Sequence, residues 1–322
     1  MWRCSPTWRR WPQPTAPIIT VLNVVTVHWQ SSKWIEPQLG FLDRNLDEPY
    51  RVFASLHGIE SYWADRFHVA VALDGTHAEQ LNALASLVLK AADPSDKILF
   101  LDGDAFPVRP VTHWMDDILT DYSLGAIRRG ENLGDCQPHP CFAFTTCEFW
   151  GRLHGDWREG GTWTNAVGEV TTDVGGTLLH QLADGDHSWL PIVRSNTNNP
   201  DPLLFGVYGH RIYHHGAGFR RPVSRLGLHR DGHLDDSDAW GTSIEGLARQ
   251  LLEHPSSITR LRSSDFGRLR PAFKVSTSKL GRRRDVPRQR KQMEHMEALQ
   301  QAVFHQLVHD PDFYLEFDPV EH

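Results

Sequence analysis

Long apolar runs are missing from this chain of 322 residues. A membrane span needs roughly 18 apolar residues, and no stretch approaches that. The best run, Ile18 to Val27, is short and interrupted by Asn23, and it reads as a buried strand. A secretion signal is lacking too. The opening MWRCSPTWRRWPQPTAP is basic and Trp-rich, and Pro12, Pro14 and Pro17 stand where a signal peptide needs a continuous apolar segment. Cysteine is scarce, with only Cys4, Cys136, Cys141 and Cys147. They are too few and too unevenly spaced for a disulfide scaffold, which points to a reducing cytoplasm. Cys136, His139, Cys141 and Cys147 lack a C-x-x-C knuckle and are not read as a zinc site. Excess positive charge is absent as well: a formal net charge of −7 argues against a nucleic-acid partner.

What is present is enough apolar residue for a substantial core, arranged in alternating patterns. Ile18–Val27, Arg51–Leu56, Phe67–Leu73 and Lys97–Leu101 read as strands. Helical periodicity runs from Trp34 to Leu46, with Pro37 allowed in the first turn, and from His77 to Ala92. This order predicts a mostly parallel sheet with helices on its faces. Leu124–Ile127, Cys141–Thr145, Leu203–Val207 and Arg211–His215 are later strand candidates, and Asp173–Leu182 looks helical. From about Ser256 basic residues dominate, and a helix is expected over 292–308. The implied division is a tail (1–17), a main domain (18–255, its halves meeting at 110/111) and a basic helical extension (256–322). That extension has two readings: a solvated tail, or peripheral contact with an anionic membrane surface.

The segment KILFLDGDAFPV, Lys97 to Val108, carries the most chemistry. In α/β sheets ligands bind at the carboxyl ends of the strands, and here a buried strand ends in Asp102-Gly103-Asp104. Residues i and i+2 of a strand share a face, so the two carboxylates can converge on one hard cation, Mn²⁺ or Mg²⁺. Gly103 permits a tight bend and close approach of a phosphate. A plain Asp-Gly turn is the competing reading.

KILFLDGDAFPVRP resembles the D-x-D segment of GT-A glycosyltransferases, and the order of elements over Ile18 to Arg221 is similar to that family. The resemblance implies a GT-A-like (Rossmann-like) α/β fold. It implies a nucleotide-sugar donor, and a carbohydrate or other hydroxyl acceptor. It places Thr26, Val27 and His28 at the strand end that contacts the nucleoside, and Asp74 near the base or ribose; ordinary strand packing of Thr26 and Val27 and a plain turn at Asp74 are the competing readings. In VYGHRIYHHGAGFR (Val207–Arg220), His214 and His215 resemble the third metal ligand of that family. Strand alternation lets only one of them point at the metal, His214 being preferred. His210 would share that face. Gly216 and Gly218 would let the backbone approach a diphosphate, and Arg220 would pair with it. TTDVGGTLL (Thr171–Leu179) resembles the point where inverting members present a catalytic base, here Asp173. The same residues also suit a helix N-cap or a contact to the donor sugar. Trp157, Trp163 and Trp189 are candidates for stacking on sugar rings.

Two other readings remain. A Mg²⁺-dependent phosphatase of haloacid-dehalogenase type also begins with strand-D-x-D, and Asp235-Asp236 would supply its distal acids. A non-catalytic carbohydrate-binding protein is the third.

Overall fold

The computed structural model describes residues 20–132, 134–164, 170–201, 203–219 and 279–319. A seven-stranded sheet forms the centre of the fold, with its strands, numbered along the chain, in the order β10-β6-β7-β4-β1-β2-β3. Its strands are β1 (Leu22–Trp29), β2 (Tyr50–His57), β3 (Val69–Val71), β4 (Lys97–Asp102), β6 (Leu124–Ile127), β7 (His139–Thr146) and β10 (Trp189–Ile192). All neighbouring pairs are parallel except those of β7, which runs antiparallel to both β4 and β6. The sheet is thus mostly parallel, as expected, with β7 its antiparallel member. That sense lets the start of β7 lie beside the end of β4.

The helices follow the expected periodicity closely. α1 (Ile35–Asn45) carries Pro37 in its first turn, where a missing N–H costs nothing. α2 (His77–Ala91) starts at a full capping box between Thr76 and Glu79. α3 (Thr112–Asp121) and α4 (Cys147–Leu153) complete the sheet's cover. α5 spans Gly176–Asp184 with Gly175 as its N-cap, so Asp173 lies before the helix and does not cap it. A long helix, α6, covers Lys279–His309, beginning earlier than periodicity placed it. β8 (Trp163–Thr164) and β9 (Val170–Thr171) form a short separate pair.

Strand alternation divides the core into two layers. Val24, Leu99 and Leu101 face α1 and α3, while Val25, Val27, Ile98 and Phe100 face α2, α4 and α5. Trp157 is fully buried against Phe100 and Trp150, so it packs the second layer and stacks on no sugar. Trp189 also packs against this layer, partly buried, and Trp163 is half-buried.

A second sheet decides where the site forms. β5 (Ala105–Pro107) follows the D-x-D triplet and pairs antiparallel with β12 (Ile212–His214), which pairs with β11 (Gly206–Tyr208). A third apolar cluster lies behind it. Trp34, Phe41, Phe106, Phe205 and Tyr213 pack there with Val303 and Leu307 of α6 and with Phe313 and Phe317 beyond it. The described end of the basic extension is thus joined to the site-bearing sheet through its core. The membrane reading rests on basic residues from Arg260 to Lys291, of which those before Lys279 lie outside the described residues. Among the described residues no helix is long and apolar enough to cross a membrane.

Candidate functional site

The register of the small sheet brings together residues distant in sequence. His214 pairs with Ala105, and the His215 amide donates to the Asp104 carbonyl at 3.0 Å. His214 Nε2 then lies 3.7 Å from Asp102 Oδ2 and 3.6 Å from Asp104 Oδ1. Ligand atoms of all three residues fall within 4.8 Å of one another, the spacing of a cation cage. His215 faces the other way, as alternation requires. Its Nδ1 meets the Tyr213 hydroxyl at 2.9 Å, and its ring packs on Trp34 and Phe205. Of the two histidines named from sequence, only His214 reaches the acids.

The turn between the acids is held by a residue that carries no motif signal. Gln38 of α1, fully buried, donates through Nε2 to the carbonyls of Asp102 (2.8 Å) and Ala105 (3.0 Å). Its Oε1 accepts from the Thr26 hydroxyl at 3.1 Å and lies 3.2 Å from His28 Nε2. Both amide protons are spent on carbonyls, so the oxygen only accepts, and His28 carries its proton on Nε2. Burial, partly offset by the bond to Gln38, lowers the His28 pKa to about 4. Thr26 and His28 are therefore turned inward to the Gln38 amide, where a nucleoside contact was expected of them. Val27 is buried in the core, and its carbonyl lies against Gly103. A Cβ at Gly103 would stand 2.6 Å from that carbonyl and 2.9 Å from His28 Nδ1. Close packing, rather than an unusual φ, is what demands glycine there.

His77, the first residue of α2, is the other group that sequence reasoning missed. Its Nε2 lies 3.2 Å from Asp102 Oδ1. The two groups form an ion pair when His77 is protonated. Burial opposes a charge on His77, but Asp102, with Asp104 and Asp173 beyond, outweighs it and raises its pKa. Burial would likewise raise Asp102, yet His77, His139 and His214 together hold its carboxyl below the usual range. A signal for His77 was available, because α2 opens directly after the carboxyl end of β3.

The loop after β12 closes over the acids. The Gly218 amide donates to Asp104 Oδ2 at 2.9 Å, and Trp34 Nε1 donates to the Gly218 carbonyl at 3.0 Å. A Cβ at Gly218 would meet Asp104 Cβ at 2.6 Å. From α6, Gln300 Nε2 donates to the Gly216 carbonyl at 3.0 Å. Arg220 and Asp235-Asp236 lie outside the described residues. His210 sits away from the acids, its Nδ1 at 2.8 Å from Asp318 Oδ2. Asp74 is almost wholly exposed, with His57 at 3.4 Å, and His57 stacks on Trp29.

Asp173 is half-buried and its charge reaches His77, Arg129 and Asp135. Its Oδ1 accepts from the Val174 amide at 2.8 Å. Asp135, in the loop before β7, is buried. Burial first, then the Asp173 charge, raises its pKa to about 7. The four-residue zinc grouping weighed from sequence does not assemble. Cys136 is exposed and Cys147 begins α4, while His139 and Cys141 lie beside Asp102.

No family model matches the chain, and no curated protein matches it. The solved structures that it resembles include glycosyltransferases. S. aureus TarS 1-349 in complex with UDP-GlcNAc is 13% identical, with a TM-score of 0.32 over 43% of this chain and 49% of that one. The catalytic domain of Drosophila β1,4-galactosyltransferase 7 in complex with xylobiose is 11% identical, with a TM-score of 0.34 over 54% of this chain and 65% of that one. Galactosyltransferase LgtC, in complex with donor and acceptor sugar analogues, is 15% identical, with a TM-score of 0.27 over 40% and 59%. The chain spans less than two thirds of the length of each of these structures. At these scores, the functional reading rests on the chain's own sheet and site.

Proposed function

We propose that this protein is a glycosyltransferase that moves a sugar from a nucleoside-diphosphate sugar to an acceptor hydroxyl, using a divalent cation held by Asp102, Asp104 and His214. The observation that carries the reading is the meeting of these three ligands at the carboxyl end of β4, beside β1, where α/β sheets bind ligands. The donor set of two carboxylates and one imidazole fits Mn²⁺ or Mg²⁺. When bound, the cation neutralises charge on the departing nucleoside diphosphate.

The chain's own residues do the rest. Gln38 fixes the turn that points both carboxylates inward. The Gly218 amide holds Asp104 from the other side. Exposed Lys33 carries a positive charge that interacts with Asp104 and lies over the rings of Trp34 and Phe304. Asp173, in the segment before α5, is assigned the proton of the acceptor hydroxyl, and the interaction of its charge with His77 supports that assignment.

The test is thermal stability of the purified chain against a panel of nucleoside diphosphates and sugar nucleotides with Mn²⁺, Mg²⁺ or EDTA. A ligand at 100 times its Kd stabilises by about 2.7 kcal/mol. One nucleotide should raise Tm in the presence of metal and not in EDTA. A shift with metal alone and with no nucleotide would sink the transferase reading.

A further inference from the structure

Asp102 stands between two groups of ligands. On one side are Asp104 and His214. On the other are His139 and Cys141, whose ligand atoms also lie within 4.8 Å of each other and of Asp102. These two are i and i+2 on β7, so they share a face. The ladder that pairs Leu101 with Phe142 carries Asp102 up to Cys141 one step further along. Cys141 is completely buried and His139 nearly so, whereas the Asp102 side chain is 15% exposed and opens the way in. A carboxylate, an imidazole and a thiolate form a different chemical set from the first. Thiolate selects zinc-like soft or borderline cations and disfavours magnesium or manganese.

We propose that Asp102, His139 and Cys141 form a second metal site, selective for thiophilic divalent cations such as Zn²⁺ or Cd²⁺, which shares Asp102 with the first and excludes the hard cation from it. The site rests on the metal-binding role of Asp102 and not on sugar transfer. In the metal-free protein the Cys141 amide donates to His139 Nδ1 at 3.1 Å, so the ring proton is on Nε2. Whichever ring nitrogen takes the cation, that bond is given up. Its net worth is about 1 kcal/mol, small beside three metal–ligand bonds. Binding releases the thiol proton to solvent. A thiophilic cation thereby becomes an inhibitor of Mn²⁺ binding, and the enzyme becomes responsive to the balance between the two metals.

The experiment uses Cd²⁺ and the full chain, without nucleotide or sugar. The thiolate-to-cadmium charge-transfer band should appear at one equivalent in the wild type and in Cys136→Ser, and vanish in Cys141→Ser. Mn²⁺ binding, followed by paramagnetic resonance, should weaken at least tenfold at about one equivalent of Cd²⁺ in the wild type, whereas Cys141→Ser should need a large excess of Cd²⁺, competing directly at Asp104 and His214. Cys141→Ser must itself retain Mn²⁺ binding, which shows that it is folded. If it does not fold, the variant C4S/C136S/C147S, with Cys141 as sole thiol, carries the test and should keep the band. A full band in folded Cys141→Ser, no band in the sole-thiol variant, or Mn²⁺ binding indifferent to Cd²⁺ overturns the proposal. A Cd²⁺ band without any Mn²⁺ binding would support the second site and dismiss the first.

Discussion

At the scale of single residues, the site depends on side chains that touch no ligand. Gln38 satisfies four polar groups with one amide, and each buried group left unpaired costs about 1–3 kcal/mol. Gln38→Met, similar in volume, is expected to lower stability by on the order of 3 kcal/mol. It should also weaken Mn²⁺ binding beyond what a core variant of equal stability shows, as calorimetric titration of both would reveal. His28 makes a separate prediction about pH. Its folded pKa of about 4 lies below the ordinary 6.5, so the unfolded chain takes up the proton first. The stability due to neutral His28 is complete above pH 6.5 and is lost as pH falls towards 4. That loss amounts to about 3 kcal/mol. Buried His139 and His215, also lowered, act in the same direction. His28→Asn should flatten the acid limb of a Tm-against-pH curve, and an unchanged limb would contradict the assignment.

At the scale of elements, legibility followed the reach of each signal. The strand Lys97–Leu101, the helices around Leu39 and Leu84, and the acids after Leu101 were all readable. Each declares itself within one local stretch of chain. β7 was read as a strand, but its antiparallel sense depends on which neighbours it meets, and no local pattern encodes that. The same holds for Gln38, an ordinary helix residue until β4 and β5 are folded against it. His214 could be preferred over His215 only by alternation and resemblance. Its actual partner, Ala105 across the β5–β12 ladder, is a long-range fact. That ladder yields a paired test. His214→Gln is expected to abolish the Mn²⁺-induced rise in Tm with little change in metal-free stability. His215→Gln should keep the metal response but lower metal-free stability by about 1–3 kcal/mol, because the Tyr213 hydroxyl is left buried without its partner. Equal responses from the two variants would break the assignment of faces.

At the scale of the whole molecule, the described C-terminal residues belong to the site's support. Phe313 stacks edge-on against Tyr213, and Phe317 lies parallel to Phe205. Asp318, completely buried, accepts from Ser195 Oγ at 3.1 Å and meets His210 Nδ1. The Phe317 carbonyl takes the amides of Thr197 and Asn198, each at 3.0 Å. Phe313→Ala should cost about 3–5 kcal/mol. It should also reduce the metal-linked rise in Tm, since Tyr213 directly precedes His214. A full metal response in a destabilised Phe313→Ala would show that this support is structural only.

The pairing of His214 with Ala105 also sets when the site can exist. A ribosome completes Asp102 and Asp104 while Tyr213, Gly218 and Phe317 are still unmade. Through that interval the two acids have no imidazole beside them and no loop above them. The growing chain therefore meets the surrounding metal ions with an unfinished cage. On the proposed metal-binding role, selection among those ions waits until β12 has docked, so a finished protein would choose the metal.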